Sequence, residues 1–197
     1  MTDPHEYRVL SSREVYPGAI FTLVTDEVAM PGGRASRRDF LRHPGSVVVA
    51  ALDDADQIVL VRQYRHAVGR RLWELPAGLC DVRGEAPVRT AARELAEEVD
   101  LVAARWDLLV QVHASPGYSD EFSHVFLARD LSAAPEPSRP RRDEESELVP
   151  VLVDLDEAVE MVLRGEITVS VDVAAIFATA RAREAGWTTL RPAAEAH

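Results

Sequence analysis

The 197-residue chain holds a single cysteine, Cys80. No disulfide can form within it, and its cysteine usage gives no sign of an oxidising compartment. Long apolar runs are missing too: the longest, Val47 to Leu52, is far too short to cross a bilayer. The start, Met1 to Glu6, is polar and acidic, without the basic-then-apolar order of a secretory signal. The cytoplasm is therefore the expected location, with no membrane partner. Positive charge is in deficit, with 22 Lys and Arg against 33 Asp and Glu and a net charge of −11 at pH 7. Such a chain repels phosphate backbones, which argues against nucleic acid as a partner. An anionic small substrate would need an intervening cation. No glycine-rich phosphate loop of either standard type occurs, no segment repeats, and the six histidines show no zinc spacing.

What is present describes an ordinary globular protein. Hydrophobic residues make up 47 % and charged residues 28 %, enough for one full domain with its own core and a small appended piece. Residues 1–44 read as that separate piece. Ile20 to Val24 and Arg37 to Leu41 are short strand candidates around the turn residues Met30-Pro31-Gly32-Gly33. So few strands cannot bury a core alone, so the unit must lean on the main domain or on a second copy. His43-Pro44-Gly45 marks the break, and residues 45–197 form the main domain. Ser46 to Leu52 and Ile58 to Gln63 are β-branched apolar runs joined by Asp53 to Asp56, which suggests a hairpin. Trp106 to Val112 and His124 to Leu127 are further strands. Ala86 to Val99, with Pro87 in its first turn, Asp156 to Leu163 and Val171 to Glu184 read as helices. Residues 132–142 read as an exposed loop. Strands, helix, strands, helices in that order predict a mixed α/β layer fold.

The helix from Ala86 carries the chemistry. At about 100° per residue, Val88, Ala91, Ala92, Leu95 and Val99 share one side and face a core. Glu94 and Glu98 then sit together at the edge of that stripe, and Glu97 lies further round, toward solvent or the mouth of a site. Like charges four residues apart repel, and partial burial sharpens the conflict. A proton, an arginine or a divalent cation could relieve it. The cation suits three glutamates within about one turn, because magnesium and manganese prefer oxygen ligands. The plain alternative is a solvated acidic face partnered by Arg93.

The stretch from Gly78 resembles the Nudix box: a glycine, five residues, a glutamate, seven residues, then Arg-Glu-apolar-any-Glu-Glu-any-Gly-apolar. Glu85 to Arg93 has the required gap, and Arg93, Glu94, Leu95, Glu97, Glu98 and Leu101 all match. Two departures stand out. Six residues separate Gly78 from Glu85, and Asp100 replaces the glycine after the helix. Gln63-Tyr64-Arg65, Trp73 to Gly78 and Ser115 to Glu121 are similar to the ADP-ribose pyrophosphatase subgroup. The likeness runs from about Phe21 to Ile176.

That resemblance implies a Nudix-type α/β/α sandwich around a mixed sheet, with a small N-terminal β unit, and a pyrophosphatase that cuts ADP-ribose into AMP and ribose 5-phosphate. It implies Mg2+ or Mn2+ held by Glu94, Glu98 and the carbonyl of Ala77, with Glu97 acting through a second ion or a water. Arg93 and Glu85 would pair and lock the loop. Arg65 and Glu74 would contact substrate or orient the site, and Ser119 would lie near the terminal ribose. The general base resembles a loop glutamate, assigned to Glu145 with Glu144 and Glu147 as rivals. Phe21, Arg37 and Arg38 would grip the adenine from an N-terminal unit swapped between two chains of a homodimer. A broader nucleoside-diphosphate-sugar or dinucleotide pyrophosphatase is the alternative within the class. A non-catalytic ADP-ribose sensor is the alternative outside it. Such sensors lack helix glutamates, and here none is missing.

Overall fold

A computed structural model describes residues 5–135 and 147–196. The chain divides into two compact units. One holds the residues up to Gly45 together with His113–Phe122, and the other holds Ser46–Val112 with the residues from Ser123 onward.

The first unit is an antiparallel meander of β1 (Val9–Pro17), β2 (Thr22–Ala29) and β3 (Ala35–Arg42). Gly32 and Gly33 take φ values of +82° and +79° in the β2–β3 turn, a conformation open to glycine at no steric cost. The Met30 N–H donates to the Arg34 carbonyl to close that turn. β1 has no counterpart in the sequence reading, because VLSSREVYP alternates poorly and all nine of its residues are exposed. Residues 113–122 attach to β3 through backbone bonds. The Leu41 N–H donates to the Tyr118 carbonyl and the Asp120 N–H to the Leu41 carbonyl, while the Asp120 carboxylate accepts from the His43 N–H.

The second unit contains a three-stranded sheet and a five-stranded sheet. The three-stranded sheet runs β10 (Val151–Asp154), β5 (Gln57–Arg65), β6 (Arg70–Glu74). The five-stranded sheet runs β11 (Arg191–Pro192), β8 (Leu101–His113), β9 (Phe122–Ala133), β4 (Ser46–Ala51), β7 (Ala77–Leu79). β4 pairs parallel with β9 and antiparallel with β7, so the sheet is mixed. The two apolar runs of β4 and β5 do not form the expected hairpin. A single Leu52–Ile58 bridge and the Asp53 carboxylate, which accepts from the Ala55 and Gln57 amides, close the turn. The strands then part into different sheets. Both are apolar on both faces, which suits central strands, and each has its two edges taken by other partners.

Helix α1 (Pro87–Val99) packs on β4 and β7. Its Ala91, Leu95 and Val99 join Val47, Val49 and Ala51 of β4 in one buried cluster. Each fully buried large side chain there contributes about 1.5–3 kcal/mol. Val48 and Ala50 point the other way by strand alternation and are equally buried. α3 (Ser170–Glu184) also packs on β4 and against α2 (Leu155–Leu163), so the sheet is layered between helices. Pro87 opens α1 and Asp100 ends it at φ +57°, ψ +34°, its N–H donating to the Ala96 and Leu95 carbonyls. Asp100 therefore takes up the left-handed conformation that a glycine would adopt more freely.

Candidate active site

The connection from β6 to β7 links the two sheets through Leu75 and Pro76. Its backbone N–H groups go to side chains. The Leu75 N–H donates to Asp172 Oδ2 of α3 at 3.3 Å, and the Ala77 N–H to Glu98 Oε2 of α1 at 3.0 Å. Pro76 has no N–H, and its carbonyl accepts from the Val49 N–H at 2.8 Å. Two helix carboxylates thus hold the strand-loop that ends at Gly78.

Gly78 faces Glu94. A Cβ built on it would lie 2.2 Å from Glu94 Cδ and Cγ and 2.4 Å from Oε1. Its φ is not in the positive range. The glycine is needed here for close approach and not for a left-handed turn.

Around this point the helix glutamates are folded inward. Glu94 and Glu98 are each 7 % exposed. Arg93 Nη1 donates to Glu94 Oε1 at 2.5 Å and to Glu97 Oε2 at 3.4 Å, and Nη2 to Glu85 Oε2 at 3.5 Å. Glu85 also accepts from Thr90 Oγ1 at 2.9 Å. Burial works against the charge of Arg93, but Glu94, Glu97 and Glu85 outweigh it and raise its pKa. On the other side Glu74, 3 % exposed, takes both Nε and Nη2 of Arg65 at 2.5–3.1 Å. That pairing, more than burial opposes it, raises the pKa of Arg65. Burial and then the neighbouring Glu74 push the Asp172 carboxyl well above the usual range, against the Leu75 amide and Arg65. Six acidic groups, Glu74, Glu85, Glu94, Glu97, Glu98 and Asp172, therefore share two guanidiniums.

This donor set is all oxygen and carries excess negative charge, which fits a hard divalent cation. The Gly78 cradle presses the Glu94 carboxylate against the loop that also carries the Ala77 carbonyl. Among the described residues, no three His, Cys, Asp or Glu side chains converge into a ready-made cage. Arg93 draws Glu94, Glu97 and Glu85 together instead. Glu97 is not on the solvent side, since its side chain is 12 % exposed.

Phe21, Arg37, Arg38 and Ser119 belong to the first unit. Phe21 is 38 % exposed just before β2. Arg37 pairs with Asp39 at 3.2 Å on β3. Arg38 Nη1 donates to Ser36 Oγ and the Arg37 carbonyl, and its side chain lines a cleft of about 460 Å3 with Met30, Pro31 and Arg34. Ser119 Oγ accepts from the Glu121 amide. Glu144 and Glu145 lie outside the described residues, and Glu147 is exposed and pairs with Arg71. Cys80 sits half-buried beside the longer loop, its thiol pushed up by burial and by Glu85. Asp172 escaped the sequence reading. Its signal was an isolated carboxylate between Val171 and Val173, in helical register with the apolar Ala175 and Ile176.

Comparison with known proteins identifies the family. A NUDIX domain family model matches residues 41–169. The chain is 46 % identical over 174 residues to a Mycobacterium tuberculosis protein named ADP-ribose pyrophosphatase, covering 88 % of this chain and 83 % of that one. It is 36 % identical over 163 residues to a Bacillus subtilis protein of the same name, covering 82 % and 86 %. A crystal structure of an ADP compounds hydrolase superposes with a TM-score of 0.77 at 22 % identity, over 94 % of this chain and 98 % of that one, and shows the same fold. The buried glutamates of α1, the arginine that gathers them and the glycine loop they press against lie inside the matched segment, and the chain belongs to the NUDIX domain family.

Proposed function

We propose that the chain hydrolyses the diphosphate of ADP-ribose to AMP and ribose 5-phosphate with the help of Mg2+ or Mn2+. The observation that carries this reading is the pair of buried carboxylates Glu94 and Glu98, one lodged against Gly78 and the other bound to the Ala77 amide. The names of the two bacterial relatives support the choice of substrate.

Glu94, Glu98 and the Ala77 carbonyl would hold the cation, with Glu97 joining through a second ion or a water. A divalent cation in such a site supplies neutralisation of the diphosphate and makes water a stronger acid near phosphorus. The chain's own groups do the rest. Arg93 keeps Glu94 and Glu97 turned inward, and Glu85 locks Arg93 to the loop. Glu74 fixes the plane of Arg65, whose guanidinium is permanently charged and half exposed, so that it can meet a phosphate oxygen. Glu145, with Glu144 and Glu147 as rivals, would take the proton of the attacking water, a task that requires a base to come within about 3 Å of it. One P–O bond of the diphosphate breaks, the water oxygen bonds to phosphorus, and the departing phosphate leaves on the other product. The N-terminal unit, residues 1–44, supplies Phe21, Arg37 and Arg38 for the adenine, and Ser119 lies by the terminal ribose. The test is a hydrolysis panel of ADP-ribose, NADH, nucleotide sugars and diadenosine polyphosphates with Mg2+. ADP-ribose should be cut fastest, with AMP and ribose 5-phosphate as products, and a faster turnover of any other member would replace the substrate assignment.

The same reading makes the protein a homodimer that swaps its N-terminal unit. Tyr7, Val9, Leu10 and Tyr16 are 52–62 % exposed along β1 and its approach, more apolar surface than a three-stranded sheet keeps in water. Light scattering at micromolar concentration should give the mass of two chains, and a single-chain mass would reject the swap. We place the reaction in the cytoplasm, where the lone Cys80 stays reduced. Among the described residues no helix is long and apolar enough to cross a membrane.

A further inference from the structure

Asp172 is a costly residue for structure alone. It is 2 % exposed in the first turn of α3, and the hydrogen bond it accepts from Leu75 is long at 3.3 Å. A buried carboxyl loses its hydration, and an apolar side chain of similar volume would pack there with less penalty. What it holds is specific. The Leu75 N–H and the Ala77 N–H are the two amide donors on either side of Pro76, and they go to carboxylates from different helices, Asp172 of α3 and Glu98 of α1. Glu74, which grips Arg65, immediately precedes Leu75 in the chain. Asp172 also lies within electrostatic reach of Glu74, Arg65 and Glu98.

We infer that Asp172 is a positioning residue for the cation site: by accepting the Leu75 N–H from α3, it sets the path of Glu74 to Gly78 and so the placement of the Ala77 carbonyl beside Glu94 and Glu98. This rests on the reading that those groups hold the cation. The physical reason is leverage. With Pro76 rigid and without a donor, the linker's amides have one carboxylate anchor on each side of it, beside the bond from the Val49 N–H to the Pro76 carbonyl. Losing the α3 anchor leaves the Ala77 peptide tied only to Glu98 and the edge of β4. Glu98 must then hold the backbone that it should help to complete as a ligand site.

The experiment measures Mn2+ binding directly, by electron paramagnetic resonance of the full-length protein, alongside kcat and KM for ADP-ribose. Asp172→Ala should weaken Mn2+ binding and lower kcat by about tenfold or more, the usual effect of removing a group that supports metal ligands, with KM nearly unchanged. Asp172→Asn keeps an acceptor for the Leu75 N–H. It should stay within about threefold of the native protein, because the amide oxygen can take the same hydrogen bond. Thr179→Ala removes a different buried polar group of α3, whose hydroxyl bonds only within the helix to the Ala175 carbonyl. It should lower thermal stability and leave Mn2+ affinity as it was. Native Mn2+ affinity in Asp172→Ala, or an Asn variant as impaired as the Ala variant, would overturn the inference and leave the functional reading standing. A native protein that binds no Mn2+ would overturn both.

Discussion

Glu98→Gln is expected to lower kcat for ADP-ribose by about 10³-fold without unfolding the protein. Cation-assisted chemistry supplies several kcal/mol of charge stabilisation to a phosphoryl transition state. At about 1.4 kcal/mol per tenfold in rate, losing one anionic ligand removes most of that. Glutamine has the same shape, and its amide oxygen can still accept the Ala77 N–H that Glu98 Oε2 accepts now. The fold keeps its hydrogen bond while the site loses a charge. Stability should hold or rise, because Glu98 is 7 % exposed in a neighbourhood of six acidic groups, and removing one of several crowded like charges relieves repulsion. The checks are steady-state kinetics at saturating Mg2+ and a thermal melt. Unchanged turnover would remove Glu98 from the cation site, and a collapsed melt would assign it a structural task instead.

Gly78→Ala should cost both activity and stability. The new methyl carbon would lie 2.2 Å from the Glu94 side chain, far inside contact distance. Glu94 has little room to yield, since it is buried and held by Arg93 at 2.5 Å. Either its carboxylate swings away or β7 and α1 separate. Overpacking of this kind costs about 1–3 kcal/mol, and a displaced ligand should cut kcat by about 10²-fold or more. The cause can be isolated with a double variant. Gly78→Ala combined with Glu94→Gly removes the clash, so much of the stability should return while the activity does not, a coupling that a mutant cycle measures. If the single variant melts and turns over like the native protein, the close approach has no functional weight.

Much of this centre could be read in advance because it is local. Ala91, Leu95 and Val99 fix which side of α1 is buried, and Glu94 and Glu98 follow on its edge by helical geometry alone. The Arg93–Glu85 contact was implied by the resemblance to the Nudix box, and the two side chains lie 3.5 Å apart. Reading failed where partners are distant or packing decides. The β4 and β5 runs looked like a hairpin because periodicity cannot say which edge a strand offers to which neighbour. Of the two directions open to Glu97, solvent or a site mouth, periodicity could not choose, and Arg93, four residues earlier, turns it away from solvent. The constraint on Gly78 comes from a side chain sixteen positions later, which no local pattern announces. Asp172 carries no local pattern beyond an odd acid among apolar neighbours, and β1 had neither alternation nor burial to mark it.

The suspended linker also sets an order of assembly. The Arg65–Glu74 contact spans 9 residues and the Ala77–Glu98 contact spans 21, but the Leu75–Asp172 contact spans 97. Close pairs can form as soon as they leave the ribosome, whereas distant ones wait for the chain between them. At bacterial and eukaryotic elongation speeds, that interval is about 5–20 s. During it the nascent chain displays its acidic helix with one tether of the linker still unmade. The last of these three contacts to form is supplied by α3, so a chain that stopped before it would carry every glutamate of the motif and still lack the finished geometry.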